Sequence, residues 1–114
     1  MEALEMTLLF DYYGELLTEK QRACVDMRYN QDLSLGEIAQ ELGISRQGVF
    51  DNLSRAEALL RNMEEKTGFV RRDERVRAAA RRITAAARML CENPDSQTVD
   101  LAKRILSAAQ ELEE

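Results

Sequence analysis

The chain has 114 residues, enough for one domain with an appendage and too few for several independent cores. Five glycines and one proline leave little material for a turn-rich β fold, while the abundance of Ala, Leu, Glu and Arg favours helices. The net charge is −5 and there is no histidine, so the commonest general base and a common metal ligand are both missing.

These counts predict an all-α protein that is not an enzyme and uses neither cofactor nor metal. No GxSxG, P-loop or paired-carboxylate arrangement replaces the histidine. Cys24 and Cys91 are far apart and lack CxxC spacing, which reads as reduced, packing thiols. No apolar run reaches membrane-spanning length, and Glu2 and Glu5 oppose the basic start of a signal peptide. The expected location is the cytoplasm, away from membranes.

Leu4, Leu8, Tyr12 and Leu16 step by four residues and predict a first amphipathic helix, widened by Leu9 and Tyr13. Phe10, Tyr12 and Tyr13 lie on or beside that stripe and read as core rather than as a base-stacking platform. Thr18 and Gln21 form a capping box that opens a second helix, with Ala23, Cys24 and Met27 inward. It should end near Tyr29 and Asn30, where Asn tolerates the left-handed conformation.

A helix-turn-helix follows over residues 33–56. Ser34 and Glu37 make another capping box, Ile38 and Leu42 give an apolar stripe, and Gly43 can turn the chain with φ above zero. Ser45 caps the next helix, whose Val49, Leu53, Ala56 and Leu60 recur at steps of four, three and four. That periodicity leaves Arg46, Gln47, Phe50, Asp51, Ser54 and Arg55 on the outer face, the surface that enters a major groove in a DNA reader. Ser45, Arg46, Gln47, Phe50, Asn52 and Arg55 are the candidate nucleic-acid-binding residues of this recognition helix. The same corner also serves protein contacts in other proteins, so the fold leaves the ligand open.

The helix should run to Lys66 and stop at Thr67 and Gly68, after which the composition changes. Residues 1–70 hold seven basic against thirteen acidic side chains, a net of −6; residues 71–91 hold seven arginines against Asp73 and Glu74, a net of +5. Val76, Ala80, Ile83, Ala87 and Leu90 alternate four-three-four-three, a heptad-like seam. Asn93 and Pro94 break it, and Leu101, Ile105, Ala108 and Leu112 mark a last helix from about Ser96. Residues 69–114 are thus expected to form a helical hairpin after a helix-turn-helix domain of residues 1–68, packed on that domain or on a second subunit. Outer apolar surface left by two seams predicts a homodimer. The arginines read either as a solvated face pairing with acidic groups or as a phosphate-binding patch, with Arg77, Arg81, Arg82 and Arg88 as candidates and RNA the favoured polymer.

The segments LLFDYYGELL, LLTEKQR and RYNQDLSLGEIAQELGISRQGVFDNLSRAEALL, in that order, closely resemble the YlxM family of helix-turn-helix proteins. That family is similar to the fourth, promoter-reading region of bacterial sigma factors. The likeness covers about the first 68 residues and weakens beyond Gly68. It implies a small, all-helical cytoplasmic protein acting with the signal recognition particle, the GTPase–RNA machine that targets nascent membrane and secreted proteins. Its sigma-like side implies a DNA-binding transcription regulator instead. A sigma-type reader carries several basic side chains on its recognition helix, whereas this one has Arg46 and Arg55 around Asp51, and Asp51 repels phosphate.

Overall fold

A computed structural model describes residues 2–114, and the described residues contain helices and no strand. They divide into two compact units, one ending at Val70 and the other covering Arg71–Glu114.

In the first unit, α1 (Glu2–Tyr13) runs into a 3-10 turn (Gly14–Leu16). It buries Met6, Leu9, Tyr13 and Leu17, while Leu4 is 77% exposed and Leu16 56% exposed. The buried row is therefore centred on the predicted flank, Leu9 and Tyr13, with Leu8 and Tyr12 partly buried beside it and Leu4 and Leu16 outside. Apolar residues occur on nearly every side of this helix, so periodicity alone could not choose the buried one.

Thr18 caps α2 (Glu19–Val25) through the expected box: its hydroxyl accepts from Gln21 N at 3.1 Å, and its own N–H donates to Gln21 Oε1 at 3.0 Å. Cys24 and Val25 are fully buried, Ala23 and Met27 only half so. The helix does not close at a left-handed Asn30. It widens into a π-helical turn (Asp26–Asn30), and the left-handed residue is Asp32, at φ 57°. The Asp26 carboxylate accepts from Asn30 and Gln31 side-chain amides at 2.8 and 2.9 Å, which ties the widened turn together.

Ser34 and Glu37 cap α3 (Leu35–Leu42) reciprocally, at 3.1 and 2.8 Å. Those bonds hold the Glu37 carboxyl below its ordinary value. Gly43 closes the helix at φ 67°, where a side chain would be strained. α4 (Arg46–Thr67) begins at the Ser45 cap and ends at Gly68, φ 60°. Val49, Leu53, Ala56 and Leu60 are all buried, as their spacing predicts. α1, α2 and α3 all pack on α4, which forms the spine of the core.

Two polar ties fasten that spine. Tyr13 Oη donates to Glu64 Oε1 at 2.8 Å and lies 2.6 Å from Thr67 Oγ1, while the same Glu64 oxygen accepts from Val70 N at 3.0 Å. One tyrosine thereby joins the end of α1 to the turn that follows α4. Tyr29 Oη donates to Glu57 Oε2 at 2.7 Å. Burial, then the Glu57 carboxylate, pushes the Tyr29 phenol up to about 12.

The second unit is a hairpin of α5 (Phe69–Leu90), which starts in the first unit, and α6 (Ser96–Glu113). Asp95 caps α6, accepting from Thr98 N at 3.1 Å and Thr98 Oγ1 at 2.7 Å. Arg77 reaches the Glu114 carbonyl at 3.4 Å and Thr84 the Glu113 carboxylate at 3.5 Å, so the end of α6 returns beside α5 in antiparallel sense.

The buried seam shares only Ala80 and Ala87 with the predicted one. It consists of Ala80, Thr84 and Ala87 on α5 and Ala102 and Ala109 on α6. Val76, Ile83, Leu90, Leu101, Ile105 and Leu112 are 38–54% exposed, and Ala108 is exposed as well. The branched side chains flank this row of small residues instead of filling it.

Candidate nucleic-acid interface

The recognition helix owes its start to three neighbouring residues. Gly43 turns the chain after α3, Ser45 adopts an extended conformation, and its Oγ accepts from Gly48 N at 2.9 Å. A Cβ on Gly48 would stand 3.2 Å from Ser45 Oγ. Glycine at this position thus leaves room for the cap, although it lowers helix propensity.

Arg46, Gln47, Phe50, Asp51, Ser54 and Arg55 are exposed on the first turns of α4. Phe50 is 53% exposed and shares an open hollow with Leu35, Arg46 and Gln47. Gln47 Nε2 donates to Asp51 Oδ1 at 3.0 Å, so the amide is held by the carboxylate beside it. Asn52 is half-buried, and its Nδ2 donates to the Gly48 carbonyl at 2.8 Å. Of the six candidates, Ser45 acts in the cap and Asn52 bonds back to its own helix. The outward chemistry of this face comes from Arg46, Gln47, Phe50 and Arg55. It is a mixed apolar and cationic surface with Asp51 in its middle, and α3 adds the exposed Glu37 and Glu41.

The α5 candidates separate in the same way. Arg77 is half-buried at the seam, its Nε 3.2 Å from Asp73 Oδ2. Arg81, Arg82 and Arg88 are exposed. At 100° per residue Arg81 and Arg88 lie about 20° apart, and Arg82 is turned about 100° from Arg81. Arg81 and Arg88 thus share one side of α5 two turns apart, Arg82 points to another side, and Arg77 is held in an intramolecular ion pair. Exposed Arg72 and Arg75 extend the basic surface.

Among the described residues no group of three His, Cys, Asp or Glu side chains is placed to hold a metal ion. No helix of the described residues is long and apolar enough to cross a membrane. Both cysteines are free thiols, and burial pushes the Cys24 thiol up, away from reactive thiolate.

A capped helix, a left-handed glycine and a second capped helix packed on a supporting pair define a helix-turn-helix protein. Over residues 1–98 the chain matches the family model UPF0122, described as "Putative helix-turn-helix protein, YlxM / p13 like". The chain belongs to this family. It is 44% identical over 111 residues to a UPF0122 protein of Thermoanaerobacter sp. (strain X514), covering 97% of this chain and 93% of the relative. It is 56% identical over 71 residues to one from Caldanaerobacter subterraneus subsp. tengcongensis, covering 62% and 61%. A third, from Bacillus cereus (strain AH187), is 49% identical over 77 residues, covering 67% and 70%. Identity is higher in the shorter matches of 71 and 77 residues than over 111, in keeping with a likeness that weakens along the chain. The family model and the Thermoanaerobacter relative both continue into the hairpin.

Proposed function

We propose that this chain is a regulatory nucleic-acid-binding protein of the cytoplasm that contacts RNA through α5. In this reading residues 1–68 are the helix-turn-helix domain, residues 69–114 are the binding hairpin, and the working form is a homodimer. The observation that carries it is the exposed Arg81, Arg82 and Arg88 on a helix of net positive charge, within a chain of net charge −5. Arginines with no groove-reading element beside them favour phosphate and shape, which suits RNA. The resemblance to the YlxM family adds the signal recognition particle pathway as the setting. The exposed Phe50 and acid-flanked arginines of α4 then suit a protein contact better than a phosphate backbone.

A second reading is supported by Arg46, Gln47 and Arg55 on the outward face of a helix-turn-helix: a sigma region four-like transcription regulator that binds duplex DNA. Filter binding of the full chain to structured RNA and to duplex DNA separates the two. Replacing Arg81, Arg82 and Arg88 by Glu should abolish RNA retention, while replacing Arg46 and Arg55 by Glu should leave most of it. The reverse pattern, with retention of DNA, would overturn the RNA reading and establish the second.

A further inference from the structure

The hairpin of the second unit is closed by its smallest residues and leaves its largest apolar ones outside. On α5, Val76, Ile83 and Leu90 follow one another at heptad intervals, less than about a quarter turn from the buried Ala80, Thr84 and Ala87. On α6, Leu101, Ile105 and Leu112 are offset from Ala102 and Ala109 by a similar angle in the same rotational sense. In an antiparallel pair, equal rotational sense puts both rows on the same side. The six side chains therefore share one face of the hairpin.

The short connection at residues 91–95 and the Arg77–Glu114 bond place Leu90 near the level of Leu101, Ile83 near Ile105 and Val76 near Leu112, with Glu113 reaching along the hairpin to Thr84. Three apolar layers result, spread over roughly 20 Å at 1.5 Å per residue. An apolar surface two helices wide and this long is on the scale of an interaction site. It has the layer spacing of half a four-helix bundle.

We propose that this face binds the same face of a second copy, giving an antiparallel four-helix bundle in which α5 of each protomer lies against α6 of the other. This deepens the homodimer reading above by assigning its surface and pairing. The charge distribution selects the pairing. Residues 71–91 carry seven cations against two carboxylates, net +5, and residues 92–114 carry Lys103 and Arg104 against six carboxylates, net −4. A two-fold axis along the helices sets each basic α5 on an acidic α6. A two-fold axis across them sets α5 on α5 and α6 on α6, like charge on like charge. Arg81 and Arg88 lie on the opposite side of α5 from the Val76 row, so the dimer leaves them exposed.

Sedimentation equilibrium of the full chain at tens of micromolar, roughly where a modest dimer populates, should give the dimer mass. Ile83→Glu with Ile105→Glu should weaken association at least tenfold while the helical circular dichroism is kept, since both side chains are more than 40% exposed. A monomeric parent chain, or a double variant that remains dimeric, would overturn the surface. The pairing is read by disulfide trapping in a Cys91→Ser background, with the buried Cys24 retained. An equimolar mixture of Ile83→Cys and Ile105→Cys chains should form mixed cross-linked dimers, and Ile83→Cys alone should not. Cross-linking of Ile83→Cys alone would overturn the α5-on-α6 arrangement. RNA retention by the Glu double variant reports on the arginines separately, so loss of the dimer and loss of the RNA reading remain distinguishable.

Discussion

Val49 and Arg46 are three residues apart, and their environments are opposite. Val49 is fully buried on the spine of the core, and Arg46 projects from the first turn of α4 into solvent. An unpaired carboxylate at residue 49 has no partner within that apolar cluster, and burying it costs several kcal/mol against a domain stability of about 5–15 kcal/mol. Val49→Asp should therefore abolish the cooperative melt, and Arg46→Ala should keep it within a few degrees. Wild-type melting of the Asp variant would show that α4 is packed on another face. Tyr29 supplies a second measurement at this scale. Its phenol is pushed from 10.0 to about 12 by burial first and by Glu57 next, so the folded state disfavours the anion. The resulting stability is fully present below pH 10 and is lost as the pH rises through about 12. The advantage of the parent chain over Tyr29→Phe in urea midpoint, present at pH 8, should vanish between those values. A constant difference across that range would mean that folding does not raise the Tyr29 phenol.

Elements of this chain are legible in proportion to how local their signals are. A left-handed glycine is the simplest case. Gly43 has φ 67°, and a Cβ added there would meet no atom within 4 Å, so Gly43→Ala costs conformational strain alone, about 1 kcal/mol. Urea unfolding should register that loss without a change in slope, and no loss would mean the turn can reach the same angle by another conformation. The caps at Thr18, Ser34 and Ser45 and the stop at Gly68 act within one helical turn, which is why residue type and spacing alone located them. The π-helical turn at Asp26–Asn30 left no such mark. It depends on an Asp26 carboxylate bonded to two amides that any polar loop could contain. Helix α1 and the hairpin offered two apolar rows each, and periodicity within one helix does not choose between them. The predicted seam of Val76, Ala80, Ile83, Ala87 and Leu90 joined two rows; Ala80 and Ala87 are buried, with Thr84 beside them, and the three large residues are exposed. On the candidate interface, exposure of Arg46, Phe50 and Arg55 followed from the buried row alone. The bonds of Asn52 to the Gly48 carbonyl and of Arg77 to Asp73 depend on side-chain rotamers that spacing does not encode.

Across the whole molecule, charge is sorted along the chain, at −6 for residues 1–70, +5 for residues 71–91 and −4 for residues 92–114. Such sorting bears on partners rather than on the fold, since surface charges at these distances contribute little to stability. In the RNA reading proposed above, the polyanion contact is confined to one helix, so affinity should come mainly from displaced counterions. For single-stranded RNA, log K falls with log salt at a slope of about 0.7 per phosphate neutralised. If Arg81, Arg82 and Arg88 each meet one phosphate, converting all three to Gln should make the slope shallower by about 2 as well as weakening binding. Converting Arg46 and Arg55 to Gln should leave the slope nearly unchanged, because Asp51 already offsets them within the same helix face. Titrations between 50 and 200 mM salt, roughly the range where such slopes are read, decide between them. An unchanged slope in the α5 variant would remove these arginines from the contact and return the site to the helix-turn-helix.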